Sequence, residues 1–307
     1  MILFRAAVYT NAYKPGQNRH EKLTEFEKEL VRGVSDCLES WHYVGKQKFV
    51  DQMRADGAQI FLDSGAFSAY TLGVDLKVSD YCEYISRNMD IIRVEDGTVM
   101  ASVLDGIGDP LQTYRNQLEM EQRGFRPMPC YHFGEDERYL DYYVRNYEYI
   151  TLGGLVGAST DSLTKWLDEI WNKHLMDGSG RARLKVHAFG ITSIPIMGRY
   201  DWYSVDSSSW IQSAAFGTIV TPEWGSLAVS DKNPARHDAG QHAMNLTLTE
   251  QQAVFDILEK QGFTYERLST IYESRAAYNL WSYGVISATI NASRNYKKFL
   301  QLRQTLF

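Results

Sequence analysis

Three cysteines in 307 residues are too few, and too scattered, for most of the roles that cysteine plays. Cys37, Cys82 and Cys130 lie far apart, and no two have zinc-site or redox-motif spacing. An odd count does not suggest a secreted disulfide scaffold. No apolar run approaches the roughly 20 residues of a membrane helix. The opening MILFRAAVYTN holds one arginine and too short an apolar stretch for a signal peptide. No Walker A pattern occurs, the GGLVG at 153–157 is no complete dinucleotide fingerprint, and there is neither an internal repeat nor a low-complexity tract. Excess positive charge is missing too. The formal net charge of −6 argues against bulk nucleic-acid coating, although a local basic groove would not show in the total. The expectation is a soluble, cytoplasmic protein that needs no cofactor and no metal.

What is present is a large core and many rings. Hydrophobic residues make up 44% of the chain, with Tyr 20, Trp 7 and Phe 13, enough for one or two domains and for some stacking surface. Strand-like runs recur at 3–9, 59–62, 100–104, 128–132, 149–152, 184–189, 202–205 and 216–220. Their near-continuous apolar character suits parallel strands buried on both faces. Helical stripes fall between them. Leu23, Phe26, Leu30, Val31 and Val34 form one; Tyr81, Cys82, Ile85 and Met89 a weaker one; Leu163, Trp166, Leu167, Ile170, Trp171 and Leu175 a third. Eight strands alternating with helices predict an α/β fold, a (β/α)8 TIM-type barrel over residues 1–220, with an open doubly wound sheet as the alternative. Residues 221–307 read as an irregular excursion followed by C-terminal helices. A capping box at Thr249 and Gln252 opens one of these, and Gly262 is placed to end it. His237 and His242, with Asp238 between them, lack a third ligand at fitting spacing for a metal.

In such a barrel, ligands bind at the carboxyl ends of the strands. The run ends supply Asp63, Asp105, His132, Gly153, Gly154, His187 and Asp206. Three carboxylates on one rim repel one another and resist burial, so they need pairing or employment. Taken singly, Asp63 and Asp206 also fit helix caps, and Asp105 fits an organiser of the Gly-rich turn after it. His132 and His187 also fit satisfied polar groups near a core. Paired glycines let backbone approach a flat ligand.

These segments, in order, resemble the tRNA-guanine transglycosylase superfamily, and most closely its viral branch, the DpdA-type 7-deazaguanine DNA transglycosylases. FLDSGAFSAY is similar to the family's Asp-Ser-Gly-Gly-Phe-Gln stretch, YITLGGLVGAS to its Gly-Gly-Leu segment, VHAFGI to its His-Leu-Met-Gly strand, and YSVDSSSW to the strand bearing its nucleophilic aspartate. The motifs span about residues 58–217. The resemblance implies exchange of guanine for a 7-deazaguanine base without breaking the sugar–phosphate chain. It implies Asp206 as nucleophile and Asp63 as general acid/base. Asp105 would read the guanine edge, and Ser64, Gly65, His132, Gly153, Gly154, Leu155 and His187 would line the base site. His132 stands where the family has a glutamine, and Ala66 replaces the second glycine of its motif. The tRNA enzymes carry a Cys/His zinc site towards the C-terminus, whereas this chain has no cysteine beyond Cys130, so the zinc subdomain is absent and DNA becomes the expected substrate. If the chain is viral, its cytoplasm is that of an infected prokaryote.

On this reading the partners are DNA and a free 7-deazaguanine base, the cyano-substituted form first. Tyr70, Phe133 and Phe189 are candidate walls for a flipped base. Lys232, Arg236, Arg294, Lys297 and Lys298 are candidate phosphate contacts, the last three in an acid-free tail that also reads as a solvated helix face. Three alternatives remain open: a tRNA-modifying transglycosylase, an N-glycosidic nucleoside hydrolase, and a catalytically silent nucleic-acid-binding scaffold.

Overall fold

The computed structural model describes residues 1–191, 193–237 and 242–305, with side chains as far as residue 294. The chain forms two compact units, residues 1–10 with 35–207 and residues 11–34 with 208–307. The sequence placed the boundary at 220; the first unit ends at Ser207, and a stretch near the amino end joins the second.

The first unit contains β1 (Ile2–Ala6), β2 (Cys37–Ser40), β3 (Phe61–Asp63), a small hairpin of β4 (Val94–Glu95) and β5 (Thr98–Val99), then β6 (Cys130–His132), β7 (Tyr149–Gly153), β8 (Lys185–Ala188) and β9 (Ser204–Ser207). Seven of them make one sheet in the order β3-β2-β1-β9-β8-β7-β6, with every pairing parallel. Parallel neighbours require crossovers, and helices supply them. The helix Pro110–Gln122 starts with Asp109 as its cap and proline in its first turn; Glu137–Asn146 and Thr160–Ile170 are capped by Asp136 and Ser159. Each cap side chain accepts a backbone N–H that the helix leaves unpaired.

The sheet is curled. Phe61 at one edge and Met128, which leads into the strand at the other, pack in one cluster with Phe4, Ala6, Leu38, Met100 and Tyr149. Between the edges runs the segment 100–104, bridged to both by Leu62↔Ala101 and Ser102↔Met128. These are isolated bridges, so the continuous ladder has seven strands where eight were expected. Two expectations are corrected here. The run 216–220 is not part of this sheet; it contributes to β10 (Thr218–Thr221), paired antiparallel with β11 (Gly225–Ala228) in the second unit. A strand was also missed at Cys37–Ser40, because four residues containing a glutamate show no strand periodicity. Glu39 is fully buried there and accepts from Tyr9 N at 2.7 Å and from the Thr10 hydroxyl at 2.7 Å.

The second unit packs Ile219, Val229, Val254, Leu258, Phe263, Leu268 and Tyr278 into its own core. Its helix Leu248–Lys260 begins with a capping box at Thr247 and Glu250, two residues earlier than the sequence suggested, and Gly262 takes the left-handed φ of 85° that follows it. His242 is buried and satisfied: Nδ1 accepts from Met244 N, which leaves Nε2 to donate to Ser230 O. Asp238 lies outside the described residues. Among the described residues no helix is long and apolar enough to cross a membrane.

Candidate active site

β3 ends on Asp63, and the chain must turn at once into the helix Ala66–Thr71. It does so through Gly65 at φ 77°, whose amide donates to Asp63 Oδ2 at 3.1 Å. The helix itself lacks a side-chain cap, so Asp63 is tied to the turn rather than to the first helical turn. A Cβ on Gly65 would sit 2.4 Å from Ser40 Oγ and 2.6 Å from His42 Cβ. Left-handed backbone and a blocked Cβ both disfavour any other residue. Gly65→Ala should therefore cost roughly 3 kcal/mol in urea denaturation; a cost below about 1 kcal/mol would show that the turn relaxes freely.

The opening question of any strand-end carboxylate is its charge. The Asp63 carboxyl lies deep among protein groups, and its pKa is raised from 3.8 to about 7. Desolvation is the main cause, and the charges of Asp105 and then Asp206 add to it, against the Gly65 amide and the Ser40 hydroxyl. That hydroxyl lies near Asp63 but makes no aligned hydrogen bond, so the amide is the firmer of the two opposing contacts. Ser102 Oγ approaches Asp63 Oδ1 at 3.4 Å and receives the Ser64 N–H at 3.0 Å.

Asp206, on β9, is held differently. Oδ1 accepts from Gly190 N at 2.9 Å and faces His187 Nε2 at 3.3 Å. His187 Nδ1 meets Ser204 Oγ at 2.7 Å, and Ser204 Oγ meets the Tyr149 hydroxyl at 2.6 Å. Burial lowers the His187 pKa, opposed by Asp206, so the ring is neutral at pH 7. A consistent proton arrangement runs Tyr149 to Ser204 to His187 to Asp206, each group donating to the next. Phe4, Phe61 and Phe189 surround the imidazole. Having no exposed surface, His187 reaches a ligand only through Asp206.

Asp105 follows the 100–104 segment. Oδ2 lies 3.5 Å from His132 Nε2, and Oδ1 is buried without a hydrogen-bond partner. A pocket of ≈ 290 Å³ opens against it, lined also by Ala66, Tyr70, Leu104, Ile107 and Asn116. Neither Asp63 nor Asp206 lines that pocket. His132 ends β6, and Glu135 grips it twice, at Nδ1 (2.9 Å) and at the backbone N–H (3.0 Å). The His132 pKa is raised, first by Cys130, against the cost of burial, and then by contacts to Asp105 and Glu135. Gly153 lies against this histidine: a Cβ there would come 2.6 Å from His132 Cδ2. Gly154 takes φ 67° and is exposed, whereas Leu155 is buried.

The structure thus brings Asp63, Asp105 and Asp206 within electrostatic reach, with His132, Gly153 and His187 around them. Tyr70 is exposed and lines the pocket, whereas Phe133 packs on Trp166 and Phe189 on Phe61. Lys232, Arg236 and Arg294 belong to the second unit, and Arg236 is ion-paired with Asp231. The side chains of Lys297 and Lys298 lie outside the described ones. Sequence reading missed Ser102, Cys130, Glu135, Gly190 and Ser204. Ser102, Cys130 and Ser204 lay inside runs already assigned to strands and were the ones within reach.

Fold and site together define an α/β protein with a parallel curled sheet and carboxylates at the carboxyl ends of its strands. No protein-family model matches the chain, and no curated protein sequence matches it significantly.

Proposed function

We propose that this chain is a DNA-modifying transglycosylase that exchanges guanine for a 7-deazaguanine through a covalent aspartyl–sugar intermediate. One observation carries the reading: two carboxylates in mutual electrostatic reach differ in what faces them. Each accepts a backbone N–H, but Asp63 is raised to about 7 by desolvation and by the charges of Asp105 and Asp206, whereas Asp206 faces a neutral imidazole. Divergent environments are what separate an acid from a nucleophile in glycosidic chemistry.

In the first half-reaction an Asp206 oxygen bonds to the anomeric carbon as the bond from that carbon to guanine breaks. Protonated Asp63 gives its proton to the departing base, so that guanine leaves neutral. In the second, ionised Asp63 takes a proton from the incoming deazaguanine, whose nitrogen displaces Asp206 from the same carbon. The Asp105 oxygen without a partner is suited to accept the adjacent ring and amino N–H donors of guanine, a pair that adenine lacks. The barrel reading fits this scheme. Leu62 N donates to Met100 O, Ser102 N to Leu62 O, Val103 N to Met128 O and Met128 N to Ala101 O, bonds that support reading 100–104 as an eighth stave between β3 and β6. DNA is the substrate proposed because the motifs resemble most closely those of the viral DNA branch.

The test incubates guanine-containing DNA and, separately, tRNA with 7-cyano-7-deazaguanine, followed by nucleoside mass spectrometry. Incorporation into DNA is expected. Incorporation only into RNA moves the reading to the tRNA enzymes, guanine release without an acceptor base moves it to a hydrolase, and no reaction on any substrate removes it.

A further inference from the structure

We propose that Asp105, Cys130 and His132 bind one divalent ion of the zinc class, contrary to the expectation from the sequence that no metal is needed. One donor atom from each lies within 4.8 Å of the other two. His132 Nε2 stands 3.5 Å from Asp105 Oδ2 and 3.5 Å from Cys130 Sγ. Zinc bonds of roughly 2.0–2.1 Å to nitrogen or oxygen and 2.3 Å to sulfur, at tetrahedral angles, separate the donors by about 3.3–3.6 Å. The two separations from His132 therefore already have the spacing that an ion imposes, and the third donor pair lies within 4.8 Å. A thiolate with an imidazole selects zinc, or cobalt as its substitute, over magnesium and calcium.

Two further features fit. Glu135 Oε1 accepts from His132 Nδ1 at 2.9 Å, which fixes the tautomer and turns the Nε2 lone pair towards Asp105 and Cys130. A carboxylate behind the far ring nitrogen is the usual support of a ligating histidine. On the other side, a Cβ at Gly153 would stand 2.9 Å from Nε2 and 3.0 Å from Sγ, so glycine leaves both donors unobstructed. The competitor is a proton: a charged His132 lying between Asp105 and Glu135 would occupy the same space without any ion. Three protein donors leave a fourth position for water or a ligand. Asp105 Oδ1, the oxygen without a partner, is not the one facing His132, so base recognition and ion binding use different oxygens. The proposal does not depend on the transglycosylase reading.

The test uses the full chain, stripped with a chelator and titrated with Zn²⁺ by calorimetry and with Co²⁺ by absorption. One equivalent should bind, and Co²⁺ should give a thiolate charge-transfer band with tetrahedral d–d bands. Cys130→Ser, folded by circular dichroism, should lose the charge-transfer band and bind Zn²⁺ at least 100-fold more weakly. Glu135→Gln should weaken binding by roughly 10–100-fold, and Cys82→Ser should change nothing. Absence of stoichiometric binding, or a Co²⁺ thiolate band that survives Cys130→Ser, overturns the proposal. Base exchange is not measured, so the ion site and the transferase reading fail independently.

Discussion

Asp206→Asn should reduce base exchange by roughly 10⁴-fold or more, as the loss of a covalent nucleophile does. The amide is nearly isosteric and keeps an oxygen for the Gly190 N–H, which lies 2.9 Å from Oδ1 in the native protein. Folding should therefore survive, and the deficit should fall on the chemical step. With no acceptor base present, the native protein should form a denaturant-stable adduct with guanine-containing DNA, and the variant should form none. Activity within tenfold of the native level would remove Asp206 from the reaction.

The second large effect concerns Asp63, and it has a readout that needs no substrate. Its pKa is about 7 in the folded chain against an ordinary 3.8, so the fold favours the protonated form. Below the ordinary value both states are protonated and stability is unaffected. Between about 4 and 7 the unfolded chain ionises alone, and stability falls as pH rises. Above 7 the fold carries the full penalty, roughly 4 kcal/mol for a displacement of this size. Asp63→Asn removes the ionisation. The variant should match the native protein near pH 4 and exceed it by about 2–4 kcal/mol at pH 8–9 in denaturant titrations. A difference independent of pH would mean that folding leaves the Asp63 pKa at its ordinary value, so that it carries no proton to give near neutral pH. Exchange itself should drop by at least about 10²–10³-fold in the same variant, because both proton transfers lose their carrier.

Most of the sheet was legible because buried parallel strands announce themselves as apolar runs, and the runs at 149–152 and 184–189 lie where β7 and β8 form. Cys37–Ser40 was not, since its buried glutamate is stabilised by backbone and hydroxyl donors from Tyr9 and Thr10 that no local pattern encodes. The run at 216–220 misled for the opposite reason: Ile219 and Val220 are buried, but in an antiparallel hairpin, and burial does not reveal the partner. At the site, Asp63 and Asp206 could be read from the position of a charge at the end of an apolar run. The surroundings that distinguish them could not. The Gly190 amide at Asp206 and the Ser204 hydroxyl at His187 come from segments 16 and 17 residues away, whereas Glu135 behind His132 is a local turn contact three residues on, which no strand or helix periodicity marks.

β1 lies in the middle of its sheet, between β2 and β9, yet it is the first strand made and Ile2 pairs with Ser204. At ordinary rates of synthesis, roughly 10–40 s separate the emergence of these two segments from a ribosome. During that interval one flank of β1 is an open hydrogen-bonding edge, available to a neighbouring nascent chain. Yield in a heterologous host should therefore depend on chaperone supply and growth temperature, and a fragment beginning at residue 35 would lose the keystone of the sheet rather than a dispensable leader.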